Sequence, residues 1–98
     1  MTVLEGEALK QGLETLEGWE KAADKPAIQK TFQFKHFRAA WGFMSQVALS
    51  AEKMNHHPDW SNSYNSVHVQ LSTHDAGGVT ENDLELARKM NQASGNFG

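Results

Sequence analysis

The sequence predicts an α+β fold: a four-stranded antiparallel sheet with three helices on one face, in the order α-β-β-α-β-β-α. Three observations lead there. The run Phe37 to Met54 carries apolar residues with a 3.6-residue period, whereas Ala27–Phe34 and Val67–Thr73 alternate with period two. Shorter helix-patterned stretches stand near both ends. Helices layered on one face of an antiparallel sheet are the simplest way to bury all these faces at once. The 98 residues are expected to make one domain, with too little chain to shield every apolar surface alone.

From about Glu5 to Glu17, Leu9, Leu13 and Leu16 fall at i, i+4, i+7 on one helical stripe. Gly12 weakens that helix by about 1 kcal/mol relative to Ala, and Gly18 is a natural stop. Trp19 to Ala22 reads as a short strand, and Asp24-Lys25-Pro26 as a turn, since Pro cannot donate to a ladder. In the strand Ala27–Phe34, Ile28, Phe32 and Phe34 share one face, while Gln29, Thr31 and Gln33 share the other. Lys30 interrupts the apolar face, so its stem is expected along the sheet with the ammonium in water.

In Phe37–Met54, nine apolar residues from Phe37 to Met54 fill an arc of roughly 160° at 100° per residue. A helix covering one sheet needs a stripe of only about 100°. Leu49 also projects from the polar side. A well-buried core helix is one reading. The favoured one gives the helix two tasks, one face on the sheet and another on a partner subunit.

Asp59–Tyr64 and Val67–Thr73 read as a hairpin closed by Asn65-Ser66, with Asn tolerating the positive φ of a tight turn. Val67, Val69 and Leu71 alternate with His68, Gln70 and Ser72, giving one buried and one solvated face. Thr80 with Asp83 resembles a capping box ahead of a last helix carried by Leu84, Ala87 and Met90. Beyond about residue 91 a polar tail is expected to fray.

Composition narrows the function. A formal net charge of -3 gives no footprint for a polyanion, so no direct nucleic-acid contact is expected. With no cysteine, neither a disulfide framework nor a thiolate metal site is possible. No apolar run approaches the length of a membrane span, and the acidic N-terminus does not resemble a signal peptide. A soluble cytoplasmic protein is the expectation.

The chemistry concentrates between Glu52 and Tyr64. His56 and His57 stand side by side, and histidine is the side chain suited to proton transfer near neutral pH. Pro58 fixes its own φ and pushes His57 towards extended geometry. Trp60 and Tyr64 offer flat apolar faces with polar edges, suited to a planar ring. Adjacent side chains diverge in an extended backbone, so the pattern requires at most one of the paired imidazoles in a pocket. His74 lies at the end of the strand that pairs with Asp59–Tyr64, so a pocket there could collect imidazoles from two elements. His68 reads as surface, and His36 as an exposed residue at a helix start where Asp, Ser or Thr would cap better. Glu52 lies four residues before His56 and could reach an imidazole, or stand solvated in the last helical turn. Capping alone would explain Asp83. No two histidines stand at i, i+4 on a helix as in a zinc-protease motif, so no metal site is expected.

Glu52–Trp60 (EKMNHHPDW), then Tyr64-Asn65-x-Val67, then Leu71–Leu84 (LSTHDAGGVTENDL), closely resemble the pterin-4a-carbinolamine dehydratases. The similarity covers most of the chain, including Phe32-Gln33-Phe34-Lys35, Gly42-Phe43-Met44 and Val47-Ala48-Leu49. The resemblance implies dehydration of 4a-hydroxytetrahydropterin to the quinonoid dihydropterin, completing the cofactor cycle of aromatic amino-acid hydroxylases with no metal or organic cofactor. By position it implies His56, His57 and His74 as the catalytic trio, with Glu52 and Asp83 as supporting carboxylates. Pro58, Trp60, Tyr64, Ser72 and Thr73 would bind the pterin. It also implies homodimers or homotetramers, joined through a sheet edge and the helix Phe37–Met54. Animal relatives bind a homeodomain transcription factor through the tetramer surface, so the alternative is a protein-interaction module using Leu49 and the Phe43/Val47 side. Two positions differ from animal members: His36 replaces an acidic cap, and Gly78-Val79 replaces Gly-Leu.

Overall fold

The computed structural model describes residues 2–97, which form a sheet layer and a helix layer. The elements are α1 (Gly6–Glu14), β1 (Glu20–Lys21), β2 (Ile28–Gln33), α2 (Phe37–Met54), β3 (Asp59–Ser63), β4 (Ser66–Leu71) and α3 (Glu81–Ser94). A single 3-10 turn, His74–Ala76, precedes α3. The sheet is antiparallel throughout, in the order β1-β2-β4-β3, so β4 is central and β3 an edge. The expected element order and layer arrangement are found.

Strand alternation sorts the faces as period two requires. Ile28, Phe32, Val67, Val69 and Leu71 are buried against the helices, while Thr31, Gln33 and His68 on the other face are exposed. Phe43 of α2 fits between Phe32 and Phe34, with ring centroids 4.7 and 5.0 Å away. Leu84, Leu86, Ala87 and Met90 bring α3 into the same core. Gly12 lets α1 approach α3: a Cβ there would come within 2.7 Å of the Leu84 side chain. The helical propensity lost at Gly12 is therefore exchanged for close packing.

Four local expectations are corrected. The Lys30 ammonium is not in open water. It donates to the Glu17 carbonyl and to Asn91 Oδ1, both at 2.9 Å, and lies 4.6 Å from the Phe32 ring centroid. Burial lowers its pKa, an effect partly opposed by the nearby Glu17 carboxylate. His36 does cap α2, its Nδ1 accepting from the Ala39 N–H at 3.1 Å. The β3–β4 turn is Tyr64-Asn65, since Ser63 pairs with Ser66, and the positive φ of 48° falls on Tyr64. Asn65 instead ties the turn to the end of β2, accepting from the Phe34 N–H and donating through its side chain to the Phe34 carbonyl, each at 2.8 Å.

Phe43 and Val47 are fully buried in the chain's own core, so neither faces outward for a partner. The part of the α2 arc left open holds Phe37, stacked on Trp41 at 6.3 Å, and Leu49 opens separately, 75% exposed. At the C-terminus, α3 runs past Met90 to Ser94, Ala93 is buried, and Phe97 packs against the core beside Gly42.

Candidate active site

Two chain reversals bring the polar residues together. At the end of α2, Asn55 adopts a left-handed conformation with φ 54°. The Asn55 N–H then reaches the Glu52 carbonyl at 3.1 Å, and the His56 N–H reaches the Ala51 carbonyl at 3.0 Å. This pairing is a Schellman closure, and it turns His56 back towards the helix layer. After β4, Thr73 bridges to Gly78 around the 3-10 turn, which ends at Gly77 with φ 79°, a conformation that costs glycine least. The chain then enters α3 through the capping box of Thr80 and Asp83.

Asp83 is wholly buried at the point where these segments meet, and His56 is nearly so. His56 Nε2 lies 2.5 Å from Asp83 Oδ1. Asp83 Oδ2 accepts from the Thr80 N–H at 2.8 Å and from the Thr73 hydroxyl at 2.9 Å. The Thr73 hydroxyl has one hydrogen, so across the 2.7 Å contact between the two threonines it is Thr80 that donates. A carboxylate only accepts, so Nε2 of His56 carries a proton, and the tautomer this selects has its lone pair on Nδ1. Among the described residues no buried side-chain polar atom lacks a partner.

His57 is held differently. Its Nε2 meets Glu52 Oε1 at 2.9 Å, with both side chains largely in solvent. Glu52 therefore serves the second histidine rather than His56, because the Schellman turn rotates the first one away. His74 opens the 3-10 turn and is exposed.

These groups border a cavity of about 630 Å³. His56, His57 and Pro58 form one wall, and Ser72, Thr73 and His74 another. Glu52 and Asp83 stand behind the imidazoles rather than on the cavity surface. Trp60 and Tyr64 are not brought there. Trp60 pairs with Val69 on the core face of the sheet, half-buried against the apolar layer. Tyr64 lies in the turn beyond Ser63, at the opposite end of β3 from Asp59 and the cavity. Sequence reasoning passed over Asn55, Asp59, Gln70 and Asn82, all on the cavity wall. For Gln70 and Asp59 a signal existed, since Gln70 shares the strand face of Ser72 and Asp59 adjoins Pro58. Among the described residues no group of three or more His, Asp or Glu is arranged to hold a metal ion. No helix among them is long and apolar enough to cross a membrane.

Comparison with known proteins gives a consistent picture. The family model described as "Pterin 4 alpha carbinolamine dehydratase" matches residues 2–93. A protein of Sinorhizobium fredii, named provisionally as a pterin-4-alpha-carbinolamine dehydratase, is 54% identical over 91 residues, 93% of this chain and 87% of its own. A relative from Afipia carboxidovorans with the same provisional name is 50% identical over 96 residues, covering 98% of this chain and 96% of its own. The crystal structure of a transcriptional coactivator/pterin dehydratase from Brucella melitensis superposes with a TM-score of 0.93 at 47% identity, over 95% of this chain and 99% of that one. A pterin dehydratase-like RuBisCO assembly factor of the alpha-carboxysome superposes at 0.70 with 19% identity, over 81% and 92% of the two chains, and shares the fold.

Proposed function

Because the chain belongs to the pterin-4-alpha-carbinolamine dehydratase family, we propose that it is a hydro-lyase converting 4a-hydroxytetrahydropterins into quinonoid dihydropterins. The observation that carries this reading is the set of three imidazoles on one cavity, one of them held by a buried carboxylate.

The reaction breaks the C4a–O bond and the N5–H bond and forms the C4a=N5 double bond, releasing water. One group must take the N5 proton and another must give a proton to the departing hydroxyl. His56, with its Nε2–H fixed on Asp83 and its lone pair on Nδ1, is built to accept a proton. Its imidazolium would then lie against the Asp83 carboxylate, which offsets the new charge. His57, backed by Glu52, and His74 are the exposed rings that exchange protons with water, so the set can reset after each turnover. In a coupled cluster, acid and base roles belong to the set rather than to a single ring. Pro58, Ser72 and Thr73 complete the pterin-binding walls. The residues that act need no metal or organic cofactor for this elimination. We place the activity in the cytoplasm, in the recycling of tetrahydrobiopterin-type cofactors.

The open stripe Phe37–Trp41 and Leu49 on α2 supports a second element of the proposal, self-association into dimers or tetramers through this helix and a sheet edge. The same exposed apolar residues favour the alternative of a protein-interaction module, and the similar Brucella melitensis protein is called a transcriptional coactivator as well as a pterin dehydratase.

Stopped-flow absorbance of enzymatically generated 4a-hydroxytetrahydropterin tests the enzyme reading. Dehydration well above the spontaneous rate, unchanged after chelator treatment, is the expected result. A rate equal to the spontaneous one would leave only the interaction role.

A further inference from the structure

The solvent face of the sheet carries a row of side chains that the elimination chemistry leaves unused. Strand register aligns Glu20 with Gln29, Gln29 with Gln70, and Gln70 with Asp59, across all four strands. Such cross-strand neighbours stand about 5 Å apart on one face. Three of them are joined: Gln29 Nε2 donates to Glu20 Oε2 at 3.2 Å, and Gln70 Nε2 donates to Gln29 Oε1 at 3.1 Å. The direction of this relay is set at the sheet edge. A carboxylate can only accept, so Gln29 must turn its amino group to Glu20 and its carbonyl to Gln70. Gln70 must then turn its amino group to Gln29. Its carbonyl oxygen is left for the other side.

Gln70 and Asp59 both border the cavity that holds the three imidazoles. The sheet-side wall therefore offers two acceptors, an amide carbonyl and a carboxylate. Ser72 follows just past the end of β4, two residues after Gln70, and His74 lies beyond it. A bicyclic ring with its reacting carbon near the imidazoles would point its far edge at Gln70 and Asp59.

We propose that Gln70 and Asp59 form an acceptor pair for the donor edge of the pterin pyrimidine ring, its 2-amino group and N3–H, and that Glu20 sets the pair's polarity through Gln29. This assignment rests on the dehydratase reading for its substrate class. Glu20 touches no substrate; it acts as a positioning residue at the far end of the relay.

The relay makes the idea testable at a distance. In Glu20→Lys the edge group can only donate, so both amides reverse and Gln70 presents its amino group to the cavity. Glu20 is exposed on a two-residue edge strand, so the fold tolerates the change. The expected result is a KM for 4a-hydroxytetrahydropterin raised about tenfold with kcat within about twofold, the pattern of lost uniform binding. Binding of two stable probes, 7,8-dihydropterin and lumazine, measured by fluorescence quenching, supplies a second readout. Lumazine carries an oxygen where pterin carries the 2-amino group, so its affinity relative to dihydropterin should rise in Glu20→Lys. In Gln70→Leu discrimination between the two should shrink towards parity. A general charge effect would move both probes together and leave the ratio unchanged. If the wild type accelerates dehydration but both variants keep its KM and its probe ratio, the acceptor pair is wrong and the enzyme reading stands. If the wild type neither accelerates dehydration nor binds dihydropterin, both fall together.

Discussion

Asp83 divides its two carboxylate oxygens between different partners: Oδ1 meets His56 Nε2 at 2.5 Å, and Oδ2 accepts the Thr80 N–H that starts α3 at 2.8 Å. The capping box and the imidazole thus share one side chain.

Asp83→Asn separates them. An amide retains an oxygen for the Thr80 N–H, but its amino group must face His56. The ring would have to accept at Nε2 and carry its proton on Nδ1, the wrong tautomer for a base. Turnover should fall by about 10²-fold, the usual scale of a lost acid–base group, while the far-ultraviolet circular dichroism stays native. Asp83→Ala also removes the carboxylate half of the capping box, leaving the Thr80 N–H without its acceptor, and thermal melts should show a loss of about 1 kcal/mol. Wild-type turnover in Asp83→Asn would remove His56 from the proton transfer.

His57→Ala and His74→Ala alter exposed side chains. Each should lower kcat by about 10²-fold while stability changes by less than about 0.5 kcal/mol, as is usual at the surface. Turnover within a few-fold of wild type in both variants would sink the role assigned to them. Glu52→Gln should have the smaller effect, since its contact with His57 is solvent-screened.

The outward side of α2 can be separated from its inward side. Trp41→Glu and Leu49→Glu place charge on residues that are 58% and 75% exposed, so the monomer should fold unchanged while light scattering reports a smaller particle. Val47→Glu puts a charge into the core and should unfold the chain, so it cannot probe assembly. An unchanged mass in Trp41→Glu and Leu49→Glu would show that this face is not used.

Lys30 predicts an alkaline signature. Its folded pKa is lowered by burial, so between that value and its ordinary 10.5 the unfolded chain binds more protons than the folded one. Stability contributed by this group therefore rises with pH through that window. At lower pH it is charged in both states and the slope vanishes. Lys30→Arg remains charged throughout and should lack the rise. Melting temperatures taken across the alkaline range compare the two proteins, and equal slopes would mean that the ammonium is not desolvated.

Periodicity made much of this architecture legible. The bounds of α2, Phe37 and Met54, and the inward set Val67, Val69 and Leu71 follow from uninterrupted patterns. What periodicity does not carry is pairing. Trp60 is aromatic and close to the histidines, yet its place opposite Val69 turns it into the apolar layer; strand parity, not residue type, decides. Glu52 finds His57 rather than His56 because a left-handed Asn55 changes the spacing rule at the helix end. Lys30 lies on an apolar face, and only the distant Asn91 and the Glu17 carbonyl explain why it is tolerated there. Gln70 gains meaning only from neighbours on two other strands.

The sequence separation between His56 and Asp83 has a kinetic consequence. The β3–β4 hairpin closes across two residues, but the contact of His56 with Asp83 spans 27 positions and requires α3 to dock. Long-range closures are the slow ones during refolding. A chain that has built its hairpin but not yet seated its last helix holds its imidazoles without the carboxylate that orients one of them. Recovery of catalysis should therefore lag behind recovery of secondary structure, and incompletely folded molecules would be silent rather than promiscuous.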